Sequence, residues 1–254
     1  MSWPLFKMLM KKNWTIWLGF SFILVLYFSV IAAMSDPEMM DLMAGFYQSA
    51  HISDGIMPYI GSVFFTSVVF LFPAVFYVMM AHKLVSKAVD NTSISSYLAT
   101  PISRNKYIIT TGLFYLKSII AQFFVLFLAG CIIIPIFGDF HFVNWLNVVG
   151  LTTMATLFVA FVCFFISTAL ASNKVGMTLL IAIPVVLVTI MMLSSMVGTL
   201  EFLRDFTPFG WINTTEISVG MFDLWWLFYI IYLVGSAVLF FLSVIVFRKK
   251  QLSI

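Results

Sequence analysis

Charge is the scarcest property of this chain. Only 9% of its 254 residues are Asp, Glu, Lys or Arg, against about 25% in an ordinary soluble domain. With 63% hydrophobic residues, there is too little polar surface to keep a folded chain in water, and a polytopic membrane protein is predicted. Cysteine is nearly absent too. Cys131 and Cys163 fall inside apolar runs and read as small packing residues, not as a disulfide or a metal pair. The three histidines, His51, His82 and His141, lie on connections, two predicted on one side and one on the other, so they do not converge readily. No H-E-x-x-H or paired-cysteine spacing suggests zinc. No G-x-x-x-x-G-K-[ST] loop occurs. Gly112 to Ser118 carries a Lys-Ser end without the second glycine, so the chain lacks a phosphate-cradling loop of its own. A net charge of +3 is no nucleic-acid signature. No polar stretch is long enough for a second domain, which leaves one membrane domain over residues 1–254.

Long apolar runs are what the chain has in abundance. A spanning helix needs about 20 apolar residues. Six runs meet that length, at about 14–34, 58–81, 107–137, 148–171, 176–197 and 224–247, and predict an all-α membrane protein with six transmembrane helices. The first run has a rival reading as a signal peptide, with Val30 and Ala32 at a cleavage site, but its apolar core exceeds the usual ~7–15 residues. Residues 1–13 interleave Trp3, Leu5, Phe6 and Met8 with Lys7, Lys11 and Lys12. They fit either an amphipathic elbow helix in the interface or an ordinary basic flank. Residues 35–57 read as a polar connection, 138–147 as a loop and 172–175 as a tight turn. The segment 198–223 contains a TPFGWI run. It is too aromatic for a plain loop and too broken for a span, so short interfacial or re-entrant helices are predicted there.

The charges segregate. With six spans, eleven basic residues fall on one side: Lys7, Lys11, Lys12, Lys83, Lys87, Arg104, Lys106, Lys174, Arg248, Lys249 and Lys250. Nine of the ten acids fall on the other side, with Asp90 the exception. Basic residues mark the cytoplasmic face, so both termini are predicted inside. Lys117 is the one ionisable residue expected within a span, and such residues suggest ion or proton pathways. Its alternative is to snorkel back to the cytosolic boundary. Hydroxyl residues in the spans, Thr66 and Thr189 among them, serve helix packing or line a pathway. Pro73 and Pro184 permit bends that would suit a gate.

Residues Asp90 to Lys106 interrupt this pattern. Asp90, Thr92 and Ser93 are capping residues, Ile94, Tyr97 and Leu98 form one apolar stripe at i, i+3, i+4, and Pro101 stops the helix. Ile102, Arg104 and Lys106 lead into the next span. Two readings fit a short amphipathic helix here: one resting on headgroups, or one docking into a soluble partner.

Ser93 to Arg104, SISSYLATPISR, resembles the GTLEYLLSTPISR pattern of ABC-2 type transporter permeases, most closely from Leu98 to Arg104. The family often has Gly-Thr where this chain has Thr92-Ser93, and an acid where it has Ser95. The six-span layout extends the resemblance over nearly the whole chain. In that family the stretch is a coupling helix, here about 90–103, seated in a groove of a separate cytoplasmic ATPase. The resemblance therefore implies an ABC ATPase partner holding ATP and Mg, a second permease copy or paralogue, and alternating access driven by ATP. It implies that spans one, two and five surround the pathway and that one and five meet across a dimer. The chain is similar to bacterial plasma-membrane permeases that export bacteriocins, antimicrobial peptides and amphipathic toxins such as phenol-soluble modulins. An ion-coupled carrier or intramembrane enzyme would need paired acids, a His cluster or a Ser/Lys dyad at membrane depth, and none is visible. A regulatory membrane subunit without a pathway is the third reading.

Overall fold

Six helices long and apolar enough to cross a membrane are present among the described residues. The structure is a computed structural model that describes residues 2–47, 54–87, 103–170 and 174–249. The spanning helices are α1 (Trp3–Ala33), α3 (Ile56–Ser86), α4 (Arg104–Phe137), α5 (Phe142–Ala169), α6 (Lys174–Met196) and α8 (Trp225–Lys249). Two short helices, α2 (Pro37–Tyr47) and α7 (Thr214–Val219), and a 3-10 segment (Gly198–Phe206) lie between them. No strand occurs among the described residues.

The first helix departs from expectation. Residues 3–12 run without a break into the span, so no separate elbow helix precedes it. Pro4 stands in the first turn, where its missing N–H costs nothing, and no glycine or second proline interrupts the residues from there to the span. The connection 35–57 contains α2, which the sequence reading passed over. Asp36 accepts a bond from the Glu38 N–H at 3.2 Å, and Pro37 opens the helix, the usual signature of a helix start. Helix α5 begins at Phe142, within the loop expected at 138–147.

Side-chain contacts show how the helices alternate in direction. The Ser2 N–H donates to Thr110 Oγ1, the Phe6 and Phe114 rings meet edge to face, and Met10 touches Lys117. Helices α1 and α4 therefore run parallel. Tyr115 of α4 reaches both Tyr77 and Ala160, and Trp145 of α5 reaches Phe127, so α5 is antiparallel to α4. The starts of α1 and α4 and the ends of α3, α5 and α8 share one end of the bundle, called here the basic end.

Helices α3 and α5 form the centre: 69% and 67% of their most apolar windows are buried, against at most 33% for the other four. In lipid, helices gain nothing from burying apolar surface alone, so close packing and interhelical hydrogen bonds must hold them. Trp145 packs among Phe28 and Phe65 and lies against Gly130, where a Cβ would come within 2.0 Å of its ring. Gly61 plays the same part for α7. A Cβ there would sit 2.9 Å from the Thr214 carbonyl oxygen, and Thr214 Oγ1 donates to the Gly61 carbonyl at 2.6 Å.

Helix α3 is not regular. Two π-helical turns, Phe64–Val68 and His82–Ser86, interrupt it. Each widens the ladder to i→i+5 bonds, as from Val69 N–H to Phe64 O and from Lys87 N–H to His82 O. Such turns concentrate at functional positions.

Candidate functional site

Most of the sequence-predicted docking stretch lies outside the described residues: Asp90, Thr92, Ser93, Ile94, Tyr97, Leu98, Pro101 and Ile102. What the structure defines is the framework from which that stretch leaves and to which it returns. On the leaving side, α3 ends in the π turn His82–Ser86. On the returning side, Ser103 caps α4, accepting from the Lys106 N–H at 3.4 Å, and Arg104 opens the helix.

These two roots are tied together. The Tyr107 hydroxyl, buried, donates to the Leu84 carbonyl at 3.0 Å. Leu84 lies inside the π turn. Ser167, near the end of α5, donates to the Ala81 carbonyl at 2.9 Å and shares a bond with Ser86 Oγ at 2.8 Å. About two turns further along α4 than Tyr107, the Tyr115 hydroxyl bridges the carbonyls of Tyr77 and Ala160. The end of α3 is thus held by three carbonyls, of Tyr77, Ala81 and Leu84, that accept from α4 and α5, and by the Ser86 hydroxyl, which donates to Ser167. The Tyr107 ring also stacks on Phe247 of α8, with centroids 6.2 Å apart. These contacts link the end of α3 to α4 and α5 and, through the Tyr107–Phe247 stack, to α8.

Basic residues surround the roots. Lys83 experiences the positive charges of Lys12 and Lys87, which brings the first and third helices' cations into one field. This clustering is invisible in the sequence, where Lys12 and Lys83 are far apart.

The proposed gate residues separate. Pro73 and Pro184 are buried, and Thr66 is nearly so at 9% exposure. Thr66 lies in the first π turn, and α6 packs along that turn and along the segment carrying Pro73. Thr189 is exposed on α6 and donates to its own Val185 carbonyl. The structure therefore brings the Thr66 and Pro73 segments together with α6 and leaves the Thr189 side chain on the outer surface. Lys117 is exposed, with its Nζ 3.8 Å from Met10 Sδ and 5.2 Å from the Phe6 ring centroid. Among the described residues no group of three or more His, Cys, Asp or Glu side chains could hold a metal.

At the opposite end, residues 198–223 close over α3 and α5. Arg204 donates from Nε to the Gly210 carbonyl (2.9 Å) and from Nη2 to the Ile212 carbonyl (3.2 Å). The turn it organises stacks Phe209 on Phe70, centroids 4.0 Å apart. Asn144 Nδ2 donates to the Ser218 carbonyl at 3.0 Å, and the Tyr232 hydroxyl bonds the Pro208 carbonyl. Sequence reasoning singled out the TPFGWI run but missed Arg204, whose only signal was being the sole basic residue of its segment.

Comparison with protein-family models, with curated proteins and with solved structures finds no match.

Proposed function

We propose that this chain is the membrane-spanning subunit of an ATP-driven exporter of the ABC-2 permease type, whose fuel is hydrolysed by a separate ATPase docked on residues 90–104. The observation that carries the reading is the tie between the roots of that stretch. The segment resembling a coupling helix springs from a π turn bonded directly to the helix on which the segment ends. A force applied to the segment by a partner would be delivered to the two central helices, α3 and α5, and not dissipated in a loop.

Charge distribution supports the sidedness. The basic end carries Lys7, Lys11, Lys12, Lys83 and Lys87, the cytoplasmic signature, which supports a position for residues 90–104 on the side where ATP is available. Both termini lie inside on this reading, and the membrane is a bacterial plasma membrane. Helices α1, α4, α6 and α8 leave most of their apolar windows uncovered, each at most 33% buried, a surface that lipid and a second permease copy would share. The cargo is a hydrophobic or amphipathic peptide, a class that fits apolar helix faces and a pathway without paired ionisable groups.

The test is affinity purification of the tagged protein from its native membrane in mild detergent, with mass-spectrometric identification of what comes with it. An ATPase carrying a phosphate-binding loop, in stoichiometric amount, is the expected result. Purification of the folded chain with no such subunit, from cells that express it functionally, would overturn the reading.

A further inference from the structure

A groove runs between α1 and α4 near the basic end. It has a volume of about 190 Å³ and is walled by Trp14, Trp17, Phe114, Lys117 and Ala121, with Asn13 also lining it. Almost all of its surface is apolar, yet it holds a lysine. The pairings of Ser2 with Thr110, Phe6 with Phe114 and Met10 with Lys117 set the depth of that lysine. Lys117 lies level with a stretch of α1 that carries Lys7, Lys11 and Lys12. From Asn13 to Ala33 and from Lys117 to Phe137 each helix has about 21 residues, or about 31 Å at 1.5 Å per residue, which matches a hydrocarbon core of about 30 Å. On that match of lengths, Lys117 falls at the boundary between acyl chains and headgroups, on the same side as Lys7, Lys11 and Lys12.

Among the described residues, the ammonium lies beside the Met10 sulfur at 3.8 Å and the Phe6 ring face at 5.2 Å. Neither neutralises it. Below it, Trp14 is 58% exposed, and Trp17 is pinned by its Nε1 donating to the Ser118 carbonyl at 3.0 Å. Tryptophan at this depth is favoured at the headgroup level. Asn13 is 1% exposed, and its Oδ1 has no hydrogen-bond partner among the described residues. A cation at the mouth, an unpaired acceptor in the wall and an apolar slot leading into the membrane together match one kind of molecule.

We propose that the α1–α4 groove binds an anionic phospholipid of the leaflet at the basic end, with the headgroup phosphate on Lys117 and an acyl chain along Trp14, Trp17 and Ala121. This site rests on the membrane reading of the chain but not on the docked ATPase, so it stands or falls separately from the exporter proposal.

The experiment uses the full chain reconstituted into phosphatidylcholine vesicles that carry equal mole fractions of phosphatidylglycerol or phosphatidylcholine with brominated acyl chains. Bromine quenches tryptophan fluorescence on contact. Brominated phosphatidylglycerol is expected to quench about twofold more than brominated phosphatidylcholine, and Trp14→Phe is expected to remove most of that excess. Lys117→Gln should bring the ratio close to one, whereas Lys117→Arg should keep it. Excess soluble glycerol phosphate should not change it, which separates a lipid from a free phosphate. Lys117 is exposed, so these variants should fold, and an unchanged thermal midpoint in detergent checks this. Equal quenching by the two lipids in the wild type, or an excess that survives Lys117→Gln, would overturn the proposal. So would efficient disulfide cross-linking of a Trp14→Cys variant to a second copy in the same vesicles, which would assign the groove to a protein interface.

Discussion

The Tyr107 hydroxyl and the Leu84 carbonyl, 3.0 Å apart, join the two ends of the stretch on which the functional reading depends. Leu84 sits in a π turn, and Tyr107 is one turn into the next spanning helix. Tyr107→Phe keeps the ring stacked on Phe247 but leaves a buried carbonyl without this donor. An unsatisfied buried group costs about 1–3 kcal/mol. The expected outcome is a modest fall in thermal midpoint in detergent. A larger fractional loss of substrate-stimulated ATP hydrolysis by the purified complex is also expected, because the drive from residues 88–102 into α3 would slacken. An unchanged ATPase stimulation would show that this tie carries no force.

The docking contact itself is tested by Tyr97→Asp and Leu98→Arg. Both place charge on the apolar stripe of the predicted helix, and a desolvated unpaired charge in a protein interface is strongly unfavourable. Each variant is expected to reach the membrane at normal level while the ATPase is lost on purification. Retention of a fully active complex in both would exclude this docking site.

Gly130 sets how closely α4 approaches Trp145. Any side chain there meets the indole, which is itself fully buried. Overpacking of this kind costs about 1–3 kcal/mol. Gly130→Val is expected to lower the thermal midpoint by several degrees, and Gly45→Val, where a Cβ meets nothing within 4 Å, is expected to have little effect. A thermal midpoint for Gly130→Val equal to wild type would mean that the helices part without cost.

Arg204 organises the far-end turn through two charge-assisted bonds to the carbonyls of Gly210 and Ile212. Hydrogen bonds to charged groups are worth about 1.5–3 kcal/mol. Arg204→Met is expected to open residues 198–212 to protease added outside intact cells, while wild type resists. Equal resistance would show that the Phe209–Phe70 stack alone holds the turn.

Sidedness is checked with single cysteines in a chain carrying Cys131→Ser and Cys163→Ala. An impermeant maleimide is expected to label Asp41→Cys from outside intact cells and Lys11→Cys only after permeabilisation. The opposite pattern would invert the topology and remove the docking stretch from the cytosol.

Composition and order of residues determined the class of this protein. Apolar runs of spanning length and a scarcity of charge compel helices in a bilayer, because each backbone amide must find its partner within its own segment. Positions of the six spans were therefore legible to within a few residues at most ends, and so were the segregated charges. The continuity of residues 3–12 with the first span was not. Amphipathic flank and spanning helix share the same local preferences, and only packing of Phe6 on Phe114 and Met10 on Lys117 shows how far the helix continues straight.

Tertiary structure decided the rest. The π turns in α3 have no mark in sequence; at His82–Ser86 the turn coincides with carbonyls that accept from Tyr107 and Ser167 of other helices. The centrality of α3 and α5, whose mean hydropathies of 2.2 and 2.3 do not exceed the 2.3–2.7 of their neighbours, emerges only from who covers whom. Lys117 could be read from the sequence as a relay or as a snorkelling side chain. The parallel pairing of α1 with α4 sets it level with Met10, because a helix has a rigid rise per residue and one side-chain contact sets the level of all the others.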